Sequence, residues 1–202
     1  MGTLALPAVG RIDVKLYAAD PGAVELGRFV PVFHGWIRRG AVPGLLIDVA
    51  DYAHVHHGPG VMLIGHDADY ALDLGDGRPG LLYQRKRGAA GDLRARLRGA
   101  LATAVLAARE LEADPEAGGI RFRADELQVR LLDRLAAPDD DDTLAALRPD
   151  LDAVLEDAYP GAEVGVERVV DPAGPFAVRV RVAGSASLDE LARRLGGEVQ
   201  PV

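Results

Sequence analysis

Arg11-Ile12-Asp13-Val14-Lys15-Leu16-Tyr17-Ala18 alternates apolar and polar side chains at nearly every step, the period of a half-buried strand. Asp20-Pro21 follows, an N-cap residue with a first-turn proline, and opens a helix. The stripe Leu26, Phe29, Val30, Phe33, Trp36 and Ile37 falls at helical spacing, and Gly40 ends it. Pro31 lies inside that stripe, which predicts a kink or a second helical segment beginning there.

The same strand-and-helix pair recurs in the second half. Glu126 to Leu132 reads as a strand, and Asp142 caps a helix to Tyr159. Aligning Pro31 with Pro149 places Leu26 on Leu144, Phe29 on Leu147, Phe33 on Leu151 and Ile37 on Leu155. Val14-Lys15-Leu16 then matches Val129-Arg130-Leu131, and Val61 to Leu63 matches Phe176 to Val178. Around these anchors, residues 45–49 and 61–65 are apolar strands, and 68–74 with 80–85 read as a hairpin about Asp76-Gly77. Asp92 caps a long helix to Leu111, 164–170 and 176–182 are strands, and Ser187 with Glu190 forms a capping box for a last short helix.

The pattern predicts an α+β fold: tandem duplicated β-α-β-β-α units with antiparallel sheets covered by helices, in the manner of ferredoxin-like halves. The expected divisions are an N-terminal tail over 1–10, a first repeat over 11–114 enlarged by an extra hairpin, and a shorter second repeat over 115–202.

With 49% apolar and 27% charged residues the chain has an ordinary globular balance. No apolar run approaches the roughly 20 residues that span a bilayer, and the N-terminus lacks a signal peptide's basic start, so a cytoplasmic, non-membrane protein is expected. The absence of cysteine excludes disulfides, thiolate metal sites and cysteine nucleophiles. A net charge of −8 argues against general nucleic-acid binding. The charge is segregated. Seven basic residues stand between Arg78 and Arg98 against Asp92 alone, and eight acids between Asp139 and Asp157 against Arg148 alone. Such blocks are solvated faces, or they match each other within the chain or between subunits, which makes self-association an expectation.

All five histidines lie between His34 and His66, four of them in one loop region. His54 and His56, at alternate positions of an extended segment, can chelate one divalent ion, with His66 and a carboxylate such as Asp51 completing the shell. Zinc, iron or manganese would suit such a set, and no other cofactor is indicated. Asp67 and Asp69, just after His66, are the candidates for catalytic acid or base, or else bond local turn amides. Tyr52, His57, Gly58, Gly60, Arg85, Lys86 and Arg87 are candidate ligand contacts, the basic trio because arginine and lysine suit phosphate or carboxylate. A strand rather than a helix follows Gly58-Pro-Gly60, which excludes a phosphate loop. The plainer account of the histidines is a set satisfied by loop backbone and solvent.

These residues support a soluble, oligomeric protein that binds a small molecule or ion through the loop at 51–69. A metal-dependent enzyme, with His54, His56 and His66 as ligands and Asp67 or Asp69 as base, is the alternative. A purely structural assembly subunit is the third.

Overall fold

The computed structural model describes residues 6, 9–55, 58–86, 90–172, 174–184 and 186–196. Strand β1 (Ile12–Ala18) leads through two 3-10 turns into helix α1 (Phe29–Arg39). Strands β2 (Leu46–Tyr52), β3 (Gly60–Gly65), β4 (Ala68–Asp73) and β5 (Gly80–Arg85) follow as a meander, and helix α2 (Leu93–Ala113) closes the first half. The second half runs β6 (Phe122–Leu131), α3 (Asp141–Ala158), β7 (Val164–Arg168), β8 (Phe176–Val182) and α4 (Leu188–Leu195). All eight strands join one antiparallel sheet in the order β2-β3-β4-β5-β1-β6-β8-β7. The mixed α+β class expected from the sequence is therefore what forms. The two stretches 11–114 and 115–202 share this sheet, because β1 and β6 pair along its middle.

One face of the sheet carries the helices. Helix α1 lies against β2 and β3, α2 against β1 and β5, and α3 and α4 against α2. Ile12, Val14 and Leu16 of β1 enter the same core as Leu97, Leu101, Val105 and Ala108 of α2 and Leu147, Leu151 and Leu155 of α3. Each such leucine contributes roughly 1.5–3 kcal/mol by leaving water. Leu6 and Val9, in the stretch expected as a tail, are also buried in this core. Among the described residues no helix is long and apolar enough to cross a membrane.

Most local signals act as read. Asp92 accepts a hydrogen bond from the Ala95 amide at 2.8 Å, and Ser187 and Glu190 form a reciprocal capping box. Helix α1 begins at Phe29, so Pro31 occupies its first turn, where a missing N–H costs nothing. Two expectations need correcting. Asp20 opens only the three-residue 3-10 turn Pro21–Ala23, accepting from the Gly22 amide at 3.0 Å, and the helix bearing the apolar stripe starts later, at Phe29. Asp140, not Asp142, caps α3, accepting from the Thr143 amide at 2.8 Å. Asp140 keeps the extended backbone that a cap needs, and Asp141 and Asp142 lie in the first turn, where the helix dipole favours them.

Some of the segregated charges meet inside the chain. Arg94 and Arg98 on α2 reach Asp157 on α3 at 3.1 and 2.9 Å, and Arg168 holds Asp139 and Asp141 at 2.9 and 3.1 Å. For these residues the charge pattern is explained without a second subunit.

Candidate functional site

Strands β2 and β3 form a hairpin in which Tyr52 pairs with Gly60 and Leu46 with Gly65. His54 follows β2 at the tip of that hairpin, and His66 follows β3 at its opposite end. A six-residue strand separates them by roughly 17–20 Å at about 3.4 Å per residue. The structure therefore does not bring His54 and His66 together. Asp51 and His54 are exposed at the tip, where the Asp51 carboxylate caps the turn by accepting from the Ala53 amide at 2.8 Å. His56, His57 and Arg87 lie outside the described residues. Among the described residues no group of three or more histidine, aspartate and glutamate side chains is placed to hold a metal ion.

The remaining sequence candidates have identifiable structural work. Asp69 is buried between the Gly65 amide, 3.1 Å away, and the Lys86 ammonium at 2.8 Å. Lys86 also donates to the Gly65 carbonyl at 2.6 Å, so the pair clasps the β3–β4 turn. His66 Nδ1 lies 2.9 Å from the Asp67 carboxylate at the surface. Asp67 and Arg85 line a cavity of about 70 Å³ with Tyr70, Tyr83 and Thr103, well below the roughly 300 Å³ at which drug-sized ligand pockets begin. Gly60 has φ +65°, and a Cβ there would stand 2.0 Å from the Leu72 carbonyl oxygen, so the residue is glycine for the strand crossing itself. A Cβ on Gly58 would meet Val55 at 2.7 Å. Tyr52 is exposed and contributes to an apolar hairpin tip with Val55.

The chemistry is concentrated on the other face of the sheet, where no helix packs among the described residues. Residues opposite one another on neighbouring antiparallel strands share a face. Asp13 stands between Gln84 on β5 and Arg130 on β6, Lys15 between Leu82 and Gln128, and Gln128 opposite Arg179 on β8. Glu126 stands opposite Arg181 on β8. Asp13, Lys15, Tyr17, Asp73, Glu126 and Gln128 are all buried here, although charged groups are rarely buried unless paired.

Neighbouring side chains do the covering. The Gly75–Gly77 turn folds onto β1, where Lys15 Nζ donates to Asp73 at 2.7 Å, to the Gly75 carbonyl at 2.8 Å and to Asp76 at 2.7 Å. All three ammonium protons are thus used. The Arg78 guanidinium lies 3.7 Å above the centre of the Tyr17 ring and holds both Glu126 oxygens, at 2.8 and 2.9 Å. Arg123, Arg181 and Arg179 also approach Glu126, at 3.2, 3.5 and 3.8 Å. Held first by the Arg78 hydrogen bonds, the Glu126 carboxyl falls to about 2. Burial, and then the Asp76 charge, pushes the Tyr17 hydroxyl up, while Arg179 draws it back.

Asp13 has the opposite balance. Its Oδ2 accepts from Arg130 at 2.7 Å and from Gln84 at 3.4 Å, while its buried Oδ1 has no hydrogen-bond partner among the described residues. Burial outweighs the Arg130 charge and raises the carboxyl to about 6. The buried Nε–H groups of Arg130 and Arg179 likewise make no hydrogen bond among the described residues. Both side chains remain about a quarter exposed, with 25% and 23% of their area accessible, so the guanidinium groups form an outer layer over the carboxylates.

Sequence reasoning missed this face. Its signal was present in the alternation of β1 and in the Arg179-Val-Arg181 spacing, where the polar positions are ionic rather than merely polar. Only the sheet order shows that these positions are neighbours. In comparisons with known proteins, the chain matches no family model and no curated protein.

Proposed function

We propose that this protein binds a small anionic ligand on the open face of its sheet, through Arg130, Arg179 and Arg181. The observation carrying this reading is the pair of buried Nε–H groups, on Arg130 and Arg179, that make no hydrogen bond among the described residues, the nearest carboxylate oxygen to Arg179 Nε being that of Glu126 at 3.8 Å. An unmet buried donor costs about 1–3 kcal/mol, which an anion's oxygens recover. Guanidinium forks match sulfate, phosphate and carboxylate geometry. Ala177 stands opposite Arg130 and two residues before Arg179, so it puts only a methyl group beside them. Sulfate titrated into the protein near pH 5.5 at low ionic strength is expected to give saturable heat. Arg179→Gln should weaken binding about tenfold or more, whereas Arg38→Gln, on the helical side, should not. Unsaturable heat, or equal binding by Arg179→Gln, would overturn the reading.

The duplication belongs to the same proposal. Its support is the sheet order: β1 and β6 lie side by side, β5 and β8 flank them, and β4 and β7 come next. On that mapping the added piece in the first half is the β2–β3 hairpin rather than β4–β5, and β8 corresponds to β5 rather than to β3. The histidine-bearing loop is then the tip of an inserted hairpin. An ion held at that tip is a second reading, favoured by the exposure of residues 51–55. It uses His54 and Asp51 without His66. Metal analysis of untagged protein is expected to find stoichiometric metal that His54→Ala loses; metal absent from the unaltered protein removes this reading.

A further inference from the structure

We infer that Asp13 gates the anion site: its negative charge holds Arg130 as a counterion, and neutralising it turns that guanidinium over to an incoming anion. The inference rests on reading the open face as an anion site. Its basis is a near balance of charge in one small area. Lys15, Arg78, Lys86, Arg123, Arg130, Arg179 and Arg181 are set against Asp13, Asp69, Asp73, Asp76, Asp125, Glu126 and Glu167, seven cations against seven anions. A balanced face attracts anions weakly, and the loss of one negative charge tips it.

Among these anions Asp13 holds its arginine by a single short bond and leaves one buried oxygen unmet among the described residues, and burial raises its carboxyl. The groups facing it are Lys15 on its own strand, Gln84 on β5, Asp69 and Asp73 on β4, and Arg130 and Gln128 on β6, with Arg179 beyond on β8. None of these is a histidine. Lys15 is fully engaged with Asp73, Gly75 and Asp76 and cannot replace the missing charge interaction. Arg130 Nη2 donates to Asp13 at 2.7 Å, so an anion must compete with the carboxylate for the same guanidinium. Burial holds the Asp13 carboxyl near 6, which sets the transition between mildly acidic and neutral solution. The coupling is reciprocal: protonation of Asp13 strengthens anion binding, and anion binding draws a proton onto Asp13.

Sulfate is the probe, because it keeps its charge throughout this range. Unaltered protein is expected to bind sulfate about tenfold more tightly near pH 5 than near pH 7.5, the size of one charge interaction across a partly screened face. Asp13→Asn is expected to bind near pH 7.5 as tightly as the unaltered protein does near pH 5, with its pH dependence gone. Calorimetry near pH 6 in two buffers of different ionisation enthalpy should show a proton taken up with the sulfate by the unaltered protein and none by Asp13→Asn. Equal affinity at both pH values, or a pH dependence that survives in Asp13→Asn, would overturn the gating while leaving the anion site standing. Failure of sulfate to bind at any pH would bring down the anion site and the gate together.

Discussion

Asp13→Asn should raise the midpoint of thermal unfolding near pH 7.5 and leave it nearly unchanged near pH 4.5. The folded protein holds the Asp13 carboxyl at about 6, against 3.8 for the free group. The fold therefore favours the protonated form. The stability that this proton confers is fully present below the free value and is lost as pH rises through about 6. At neutral pH the charged, buried carboxylate costs up to about 3 kcal/mol relative to its protonated form. Asparagine keeps the shape without the charge. Arg130 loses its partner in the variant but is partly exposed and recovers hydration, so a net gain of about 1–2 kcal/mol is expected. In a chain of this size that corresponds to roughly 3–6 °C. Scanning calorimetry at the two pH values checks it, and an equal shift at both would show that burial of charge is not what Asp13 contributes.

Glu126 should behave in the opposite sense. Glu126→Ala is expected to destabilise by about 3–5 kcal/mol at neutral pH, because it leaves Arg78 without its two-oxygen partner and removes the shared counterion of Arg123, Arg179 and Arg181. Glu126→Gln keeps the volume and should cost less, about 1–3 kcal/mol. The fold lowers this carboxyl from 4.5 to about 2, so its contribution is present above the free value and fades as pH falls through about 2. Urea unfolding of Glu126→Gln should show a clear deficit at neutral pH that narrows near pH 2. A deficit that does not change with pH would mean that packing, not charge, is what Glu126 supplies. Asp13 and Glu126 are separated by about four residues of strand, roughly 14 Å, so the two substitutions should combine additively.

The reason these two acids differ lies in their arginines. Glu126 receives two parallel hydrogen bonds from Arg78, with three more guanidinium groups nearby. Asp13 receives one short bond from Arg130, a long one from Gln84, and leaves one oxygen unmet. Burial is the larger influence on Asp13 and raises its carboxyl, whereas the Arg78 hydrogen bonds outweigh burial at Glu126 and lower it.

Much of the local structure was legible in the sequence. The Asp92 cap, the Ser187–Glu190 box, the β5 and β8 strands and the core stripe of α3 all follow from short-range chemistry, which is present wherever those residues stand together. The histidine loop was legible as a feature but not as a site. Its ligand set assumed that His54 and His66 converge, and hairpin register, set by pairing with β2, places them at opposite ends of β3.

By itself the sequence determined the class of the fold, the two faces of β1 and the N-caps of α2 and α4, because periodicity and capping are local. It could not say what lies across each face. The polar half of Arg11 to Ala18 reads as solvent-facing until β5 and β6 are set on either side of it. Pairing between residues more than a hundred positions apart then buries Asp13 beneath Arg130, and the Gly75–Gly77 turn closes over Lys15. The tertiary structure alone decided that these charges face one another rather than water, and the cost of taking a charge out of water is what gives them their altered acidity.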